Sequence, residues 1–483
     1  MAKVAVILST AAAIGTAIGL TGTVATVVGG VVLAAGAVVV AKAVKKAFVP
    51  DIPSMDDIGG GGGGGPGTDF AQSGSQGILI NKSGSSANLP VIYGTTRTGG
   101  MRTFITSSGT DNVDLHLVFA LCEGEINACK KIFFDGLQVM STSNTGQNSS
   151  WTFNVSKYSG KAEAYFYPGT DTQTANSQLN SAASWTGSPH HKGVAYVYLK
   201  LSYDEEVWKN GLPTITFEVE GKKVPATSDG TTLAFSDNPA RCILDYLTNT
   251  RYGKGIAVAD IDLTTFQAAE TYYTSKGFHC RGNLDTKARM YTNMVDLFTS
   301  CRSYLAFGNK YRLIPEKIES SVQLTLDDSN TIGDVTYVLA DKKTMFNKLK
   351  ARFMNESTEY RDDIKIVEST TLQSNDNGHV LEAEIPLPYT KTAAVAQQLL
   401  TEEINESRQS HLVELTATVE AIDLQVGDVV NVTNSTFGIT NKPFRVIETT
   451  IEPTSEVKLT LKEYDADVYG TSIITDYKDD NNA

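Results

Sequence analysis

Short runs of alternating apolar and polar residues cover most of the chain, and this pattern is typical of β structure. Residues 115–121 are almost entirely apolar, which predicts a strand buried on both faces. Ile215, Phe217 and Val219 alternate with polar neighbours, as in a half-buried strand. Asp135-Gly136 lies between two apolar runs and predicts a hairpin, because a type I′ turn needs positive φ at both central positions.

A helical period replaces this alternation after residue 235. Asn238 and Pro239 offer an N-cap and a first-turn proline, and Gly253 lies just past the predicted end of this helix. Its apolar stripe consists of Ala240, Ile243, Leu244 and Leu247. Two more helices are predicted over residues 262–276, closed by Gly277, and over residues 285–304. The second of these places Met290, Met294, Leu297 and Cys301 on one face. These segments predict a small α/β domain.

Strands return from about residue 320, with one more helix predicted near residues 390–407. Val413, Leu415, Ala417 and Val419 alternate with polar residues, and further short apolar runs follow as far as Leu461. This spacing suits a small antiparallel barrel.

The first 76 residues differ from the rest. Residues 4–41 carry no charge and lie between Lys3 and the cluster Lys42, Lys45 and Lys46. The run is long enough to cross a membrane, which takes about 20 apolar residues. A secretory signal, a membrane anchor and apolar helices packed inside an assembly all remain open, although the run is longer than a signal requires. Seven glycines at 59–65 then form a flexible tether, since no Lys-Ser/Thr follows them as a phosphate-binding loop would need.

The predicted fold is therefore mainly β with an α/β domain and an apolar N-terminal helical segment. We divide the chain into an apolar segment (1–48), a Gly/Pro-rich linker (49–76), β hub domains (77–225), an α/β domain (226–330), a β hub domain with a closing barrel (331–470) and a polar tail (471–483).

Charge and cysteine content narrow the function. The chain of 483 residues has a formal net charge of −13, which argues against gripping a phosphate backbone. The five cysteines are odd in number and include no CxxC pair, so we expect single buried thiols and neither disulfides nor a zinc site.

No catalytic, cofactor or metal site is predicted. The sequence lacks the GxSxG, HExxH, P-loop and Rossmann motifs. Glu123 and Glu125 could share a strand face for acid–base work, but a solvated turn is the simpler interpretation. His190-His191 would point to opposite faces of a strand. Asp327-Asp328 and Asp362-Asp363 lack EF-hand spacing and are interpreted as exposed loop acids. We therefore expect that the protein is not an enzyme.

Several segments, in the same order along the chain, resemble the tip-attachment or central hub proteins of siphophage tails, of the lambda type. The most specific is KGVAYVYLKLSYDEEVWKNGLPTITFEVEGKKV at 192–224. It is preceded by LPVIYGTTRTGG at 89–100 and DLHLVFALCEGEI at 114–126. It is followed by FSDNPARCILDYLTNTRYGKGI at 235–256, LQVGDVVNVTNSTFGITNKPFRV at 424–446 and VKLTLKEYDADVY at 457–469.

This resemblance implies a virion protein that closes the distal end of the tail tube as a homotrimer and takes part in host attachment and genome ejection. The implied partners are distal tail or tube proteins, the tape-measure protein, and a tail fibre or receptor-binding protein. DNA would pass through the lumen without specific binding, and we expect the lumen to be rich in Asp and Glu. Members of this family continue into receptor-binding modules, which this sequence does not show after Tyr469. A separate fibre protein is therefore expected to bind the receptor.

Two alternatives remain at this stage. The uncharged residues 4–41 could enter the host envelope, as a membrane-active tail protein would. A glycan hydrolase is the third possibility, although the sequence offers no catalytic motif for one.

Overall fold

The computed structural model describes residues 82–83, 88–140, 144–151, 153, 155–182, 191–339, 344–409 and 411–470. The predicted N-terminal helical segment, the linker, His190 and the polar tail lie outside these ranges. Within them, no helix is both long enough and apolar enough to cross a membrane.

The described residues form a mainly β structure, as predicted. The strands are β1 (Lys82–Ser83), β2 (Val91–Tyr93), β3 (Thr95–Thr98), β4 (Met101–Ser108), β5 (Asp114–Glu123), β6 (Ile126–Phe134), β7 (Leu137–Met140), β8 (Ser149–Trp151), β9 (Ala162–Tyr167), β10 (Val194–Ser202), β11 (Ile215–Pro225), β12 (Leu233–Phe235), β13 (Gly282–Leu284), β14 (Ser303–Phe307), β15 (Tyr311–Pro315), β16 (Val322–Leu326), β17 (Thr331–Leu339), β18 (Lys348–Asn355), β19 (Arg361–Glu368), β20 (Glu382–Pro386), β21 (His411–Ala417), β22 (Val429–Asn434), β23 (Ile439–Ile451) and β24 (Val457–Glu463).

Six α-helices lie between these strands in the described residues. They are α1 (Ser177–Ala182), α2 (Pro239–Thr248), α3 (Leu263–Lys276), α4 (Met290–Thr299), α5 (Thr370–Asn375) and α6 (Ala393–Ser407).

Two sheets pack face to face in the first part of the chain. One has the strand order β1-β4-β5-β10-β9-β8, and the other has the order β12-β11-β6-β7 with β3 also paired to β11. Their inner faces share one apolar core, to which Leu117, Ile132, Val197 and Phe217 each contribute a fully buried side chain. The predicted buried strand at residues 115–121 is confirmed as the centre of β5.

A second core lies between helices and small sheets. It joins α2, α3 and α4 to the three-stranded sheet β19-β18-β20 and to α6. The antiparallel pair β13-β2 connects this core to the first one, with Leu284 opposite Val91. Because these partners are almost two hundred residues apart, no local pattern in the sequence indicates their pairing.

The six-stranded C-terminal sheet corrects the predicted closing barrel. Its order is β16-β22-β23-β24-β21-β17, with β16 parallel to β22 and the other pairs antiparallel. The two edge strands are consecutive in the chain, yet no ladder joins them, so the described strands form no closed barrel. The predicted alternation from Val413 to Ala417 is confirmed as β21, with every second residue buried. Val419 instead begins a short 3₁₀ turn.

The helix predictions hold where local caps determine the boundaries. The Asn238 side chain accepts a hydrogen bond from the Ala240 amide and starts α2. The Asp262 side chain starts α3, and Gly277, at φ 71°, ends it. Helix α6 agrees with the prediction near 390–407. Gly253 lies beyond the end of α2, where its lack of a Cβ allows close approach to the Tyr246 carbonyl oxygen.

The helix predicted over residues 285–304 is shorter at both ends. The Asp285 side chain accepts from the Lys287 amide and forms a turn, so α4 begins only at Met290. Arg302 adopts φ 47°, a left-handed conformation that separates α4 from β14.

The hairpin at Asp135-Gly136 is confirmed, with φ values of 47° and 83°. The strand predicted at residues 215–219 is confirmed as the start of β11, but the prediction that it is half-buried is wrong, because both of its faces are covered. Thr216 and Glu218 are 3% and 6% exposed. They lie beneath Arg97, Lys131 and the turn that contains Tyr360.

Candidate functional site

The acidic pairs noted in the sequence are held in separate local contacts. Glu123 forms an ion pair with Arg251 at 2.5 Å, and Glu125 forms one with Lys223 at 2.5 Å. Gly124, at φ 85°, lies between the two carboxylates. Each carboxylate is therefore committed to its own cation.

The aspartate pairs serve turns and strands. The Asp327 carboxylate accepts from the Ser329 amide at 2.8 Å. Asp362 and Asp363 lie on β19, so they are not the loop acids that the sequence predicted. Asp363 accepts from the Asn355 side chain at 2.7 Å. No three His, Cys, Asp or Glu side chains within the described ranges are placed to hold a metal ion.

The histidine and cysteine side chains are packed against their neighbours. The ring of His191 lies 5.1 Å from that of Tyr196. All five cysteines are buried and free of disulfides, which confirms that prediction. Burial raises the pKa of both the Cys122 and Cys301 thiols to about 12, so these thiols stay protonated and unreactive.

A charge network surrounds the buried Arg302, and the sequence reasoning missed it. Arg302 is only 9% exposed, and its guanidinium contacts four glutamates. It lies 2.7 Å from Glu316 and 3.6 Å from Glu402, and it also pairs with Glu403 and Glu406. Three of the glutamates lie on α6 at positions that share one face. That spacing is the only signal of the network in the sequence.

Burial and neighbouring charges shift the pKa values of two carboxylates in this network in opposite directions. Burial, with added repulsion from Glu406, raises the pKa of Glu316 to about 7. Burial would also raise the pKa of Glu406, but Lys462 and Arg302 outweigh it and hold that pKa at about 2. The pKa values of the two carboxylates therefore differ widely, and Glu316 is the one that takes up a proton near neutral pH.

The network joins the helical layer to the C-terminal sheet. Lys462 on β24 pairs with Glu406, while Lys276 at the end of α3 reaches Glu402 at 3.5 Å. Lys276 also donates to the Tyr469 carbonyl oxygen at 3.0 Å. Arg445 lies over the ring of Tyr469, 5.5 Å from its centroid. Chain segments far apart in sequence thus meet at one set of charges around the buried Arg302, which fixes their relative position.

Two strands lie at the edges of their sheets among the described residues. β1 pairs with β4 only at Met101 and Arg102, and residues 105–108 have no described strand on their outer side. β17 pairs with β21 on one side only, and most of its nine residues are partly or fully exposed. Asp334 is its single charged residue, and residues 105–108 carry none. Strand edges with so few charges are templates for β-sheet extension between chains.

Comparisons with known proteins agree with an assembly role. Residues 304–449 match the family described as "Putative phage tail protein". The chain is 21% identical over 456 residues to baseplate hub protein pb3 of Escherichia phage T5, and the match covers 79% of this chain and 48% of pb3. The chain therefore spans about half the length of that curated relative.

A solved structure has the same fold. It is a chain from the virion of a native gene transfer agent (GTA) particle, with a TM-score of 0.58 and 16% identity. The match covers 81% of this chain and 88% of that chain. The chain is thus similar to structural proteins of phage tails, and to a baseplate hub protein in particular.

Proposed function

We propose that this protein is a structural hub of a long-tailed phage tail, that it closes the distal end of the tail tube as a homotrimer, and that it is not an enzyme. The similarity to a baseplate hub protein along most of the chain carries the proposal. The charge network around Arg302 supports it, because it holds the helical layer and the C-terminal sheet in a fixed relation, as a structural role requires.

These two edges, which together carry the single charged residue Asp334, provide a mode of assembly. In the proposed trimer, the β4 edge of one copy pairs with the β17 edge of the next, so that the sheets of neighbouring copies become continuous. The ring would contact distal tail or tube proteins on one side and a fibre or receptor-binding protein on the other, and it would meet the end of the tape-measure protein. We expect its lumen to be rich in Asp and Glu, which would repel passing DNA.

Native mass spectrometry of the purified chain tests the trimer. The wild type should give a trimeric mass, and Ile105→Lys should reduce it, because a charge on the β4 edge opposes pairing. Ile318→Lys is the matched control: Ile318 is 51% exposed against 50% for Ile105, and it lies outside any strand. A monomeric wild type, or equal trimer loss in both variants, would contradict this mode of assembly.

A peptidoglycan zymogram tests the absence of enzymatic activity. No clearing zone is expected, since Glu123 and Glu125 are each held by their own cation. Clearing by the purified chain would refute the purely structural role.

A second candidate function rests on the uncharged run at residues 4–41, which lies outside the described residues. This run would enter the host envelope during genome delivery. Liposome leakage should then require it, and a variant lacking residues 1–58 should be inactive. Equal leakage by both proteins would rule this function out.

A further inference from the structure

An open groove lies where the first pair of sheets meets the turn between β18 and β19. Its volume is about 380 Å³, within the usual range for ligand sites. It is lined by Arg97, Asp135, Gly136, Thr214, Thr216, Glu359 and Arg361. Two arginines and two acids line this small groove, and neither the sequence motifs nor the proposed function accounts for them.

Arg97 is a rigid element of this groove. It is 6% exposed, and its guanidinium carbon lies over Phe133, 3.8 Å from the ring centroid. Its Nε donates to the Thr216 hydroxyl at 2.9 Å, and Nη1 donates to the Glu359 carbonyl oxygen at 3.3 Å. These contacts fix the plane of the guanidinium, so the Arg97 side chain loses little conformational entropy when a ligand binds.

Arg361 supplies the second cation from the other side. It is exposed and is the first residue of β19. Glu359 and Tyr360 before it both adopt left-handed backbone conformations, at φ 59° and 62°. Tyr360 is 5% exposed, and its amide donates to the Asn355 carbonyl oxygen at 2.8 Å. The turn, anchored by the buried Tyr360, sets the direction from which Arg361 approaches the groove.

The acids beside these arginines leave binding capacity for a ligand. The Asp135 carboxylate accepts from the Thr214 amide at 2.8 Å and is thereby held in the hairpin. The Glu359 side chain is 58% exposed and lies 3.8 Å from Arg97, a distance too long for a strong hydrogen bond. Gly136 opens onto free space, so the backbone of a ligand could pass close to the hairpin.

We propose that this groove binds a carboxylate of an extended polypeptide segment, with Arg97 and Arg361 as its two charged contacts. A guanidinium matches the planar carboxylate with paired hydrogen bonds. Asp135 and Glu359 would repel a dianionic phosphate more strongly than a singly charged carboxylate, which favours the polypeptide ligand. We assign that segment to a neighbouring tail protein, and only this assignment rests on the proposed function.

Fluorescence anisotropy on the purified full chain tests the groove. The probe is a fluorescein-labelled peptide of sequence Gly-Ser-Gly-Glu-Gly-Glu, compared with an amidated version in which glutamine replaces both glutamates. Arg361→Ala should weaken binding of the glutamate peptide by at least about fivefold, as expected for a lost charge-assisted contact. Arg289→Ala is the matched control, because Arg289 is also exposed but lies outside the groove.

Arg97→Lys keeps the charge and loses the planar fork, so it should also weaken binding if the paired geometry matters. Equal affinity for the two peptides, or unchanged binding by Arg361→Ala, would overturn the proposal. Displacement of the probe by inorganic phosphate at concentrations where acetate has no effect would overturn the carboxylate assignment in favour of phosphate. These outcomes are independent of the oligomeric state, so they can be told apart from failure of the hub proposal.

Discussion

Arg302→Gln is the perturbation that the structure predicts to be most damaging to the contact between the helical layer and the C-terminal sheet. It leaves Glu316, Glu402, Glu403 and Glu406 in place without the cation that contacts all four. Breaking a buried ion pair by removing one partner costs about 3–5 kcal/mol. Lys462 and Lys276 remain beside Glu406 and Glu402, so we expect about 3 kcal/mol at pH 7.5.

Urea unfolding followed by circular dichroism measures this loss. Arg251→Gln provides the matched control, since Arg251 is 76% exposed and pairs with a single glutamate. It should cost less than about 1 kcal/mol. The loss in Arg302→Gln should also shrink towards pH 5, because the uncompensated glutamates can then take up protons. A loss below about 1 kcal/mol, or one that does not change with pH, would refute the view that Arg302 neutralises this network.

Three further predictions concern single features of the interior. The pKa of Glu316 is raised to about 7, so its contribution to stability is full below about pH 4.5 and is lost as the pH rises through 7. Glu316→Gln should remove up to about 3 kcal/mol of this pH dependence, measured as the difference in unfolding free energy from wild type between pH 5 and 8. Gly221→Ala places a Cβ 2.2 Å from the Ile92 carbonyl oxygen and should cost about 1–3 kcal/mol in thermal unfolding. Gly308→Ala is the control, because its Cβ would have no atom within 4 Å, and it should change stability by less than about 0.5 kcal/mol. Similar effects of the two changes would contradict the close approach of β11 and β2. The buried thiols should react with a disulfide reagent such as DTNB only after unfolding, and fast labelling of Cys122 or Cys301 in the native protein would show that the cores are open.

Features determined by local chemistry were predictable from the sequence. The Asn238 and Asp262 caps, Gly277 and the Asp135-Gly136 turn each act within a few residues, so the pattern alone located them. The helix predicted over 285–304 was too long because an apolar stripe does not show where the backbone leaves the helical region, and here the left-handed Arg302 decides its end.

Features determined by distant contacts were not predictable. The strand at 215–219 has an alternating sequence, yet Thr216 is buried because Arg97 and the turn at Tyr360 cover the second face. The predicted closing barrel was wrong because the strands after residue 407 join β16 and β17 in an open six-stranded sheet, and local sequence does not encode which distant strands pair. The groove likewise combines Arg97 with Arg361, which are 264 positions apart in the sequence.

Electron cryo-microscopy of the tail that contains this chain tests the hub proposal most directly. The account predicts three copies around the tail axis at the distal end of the tube, with the β4 edge of each copy beside the β17 edge of its neighbour. A map that places the chain elsewhere in the particle, or that leaves both edges facing solvent, would contradict it.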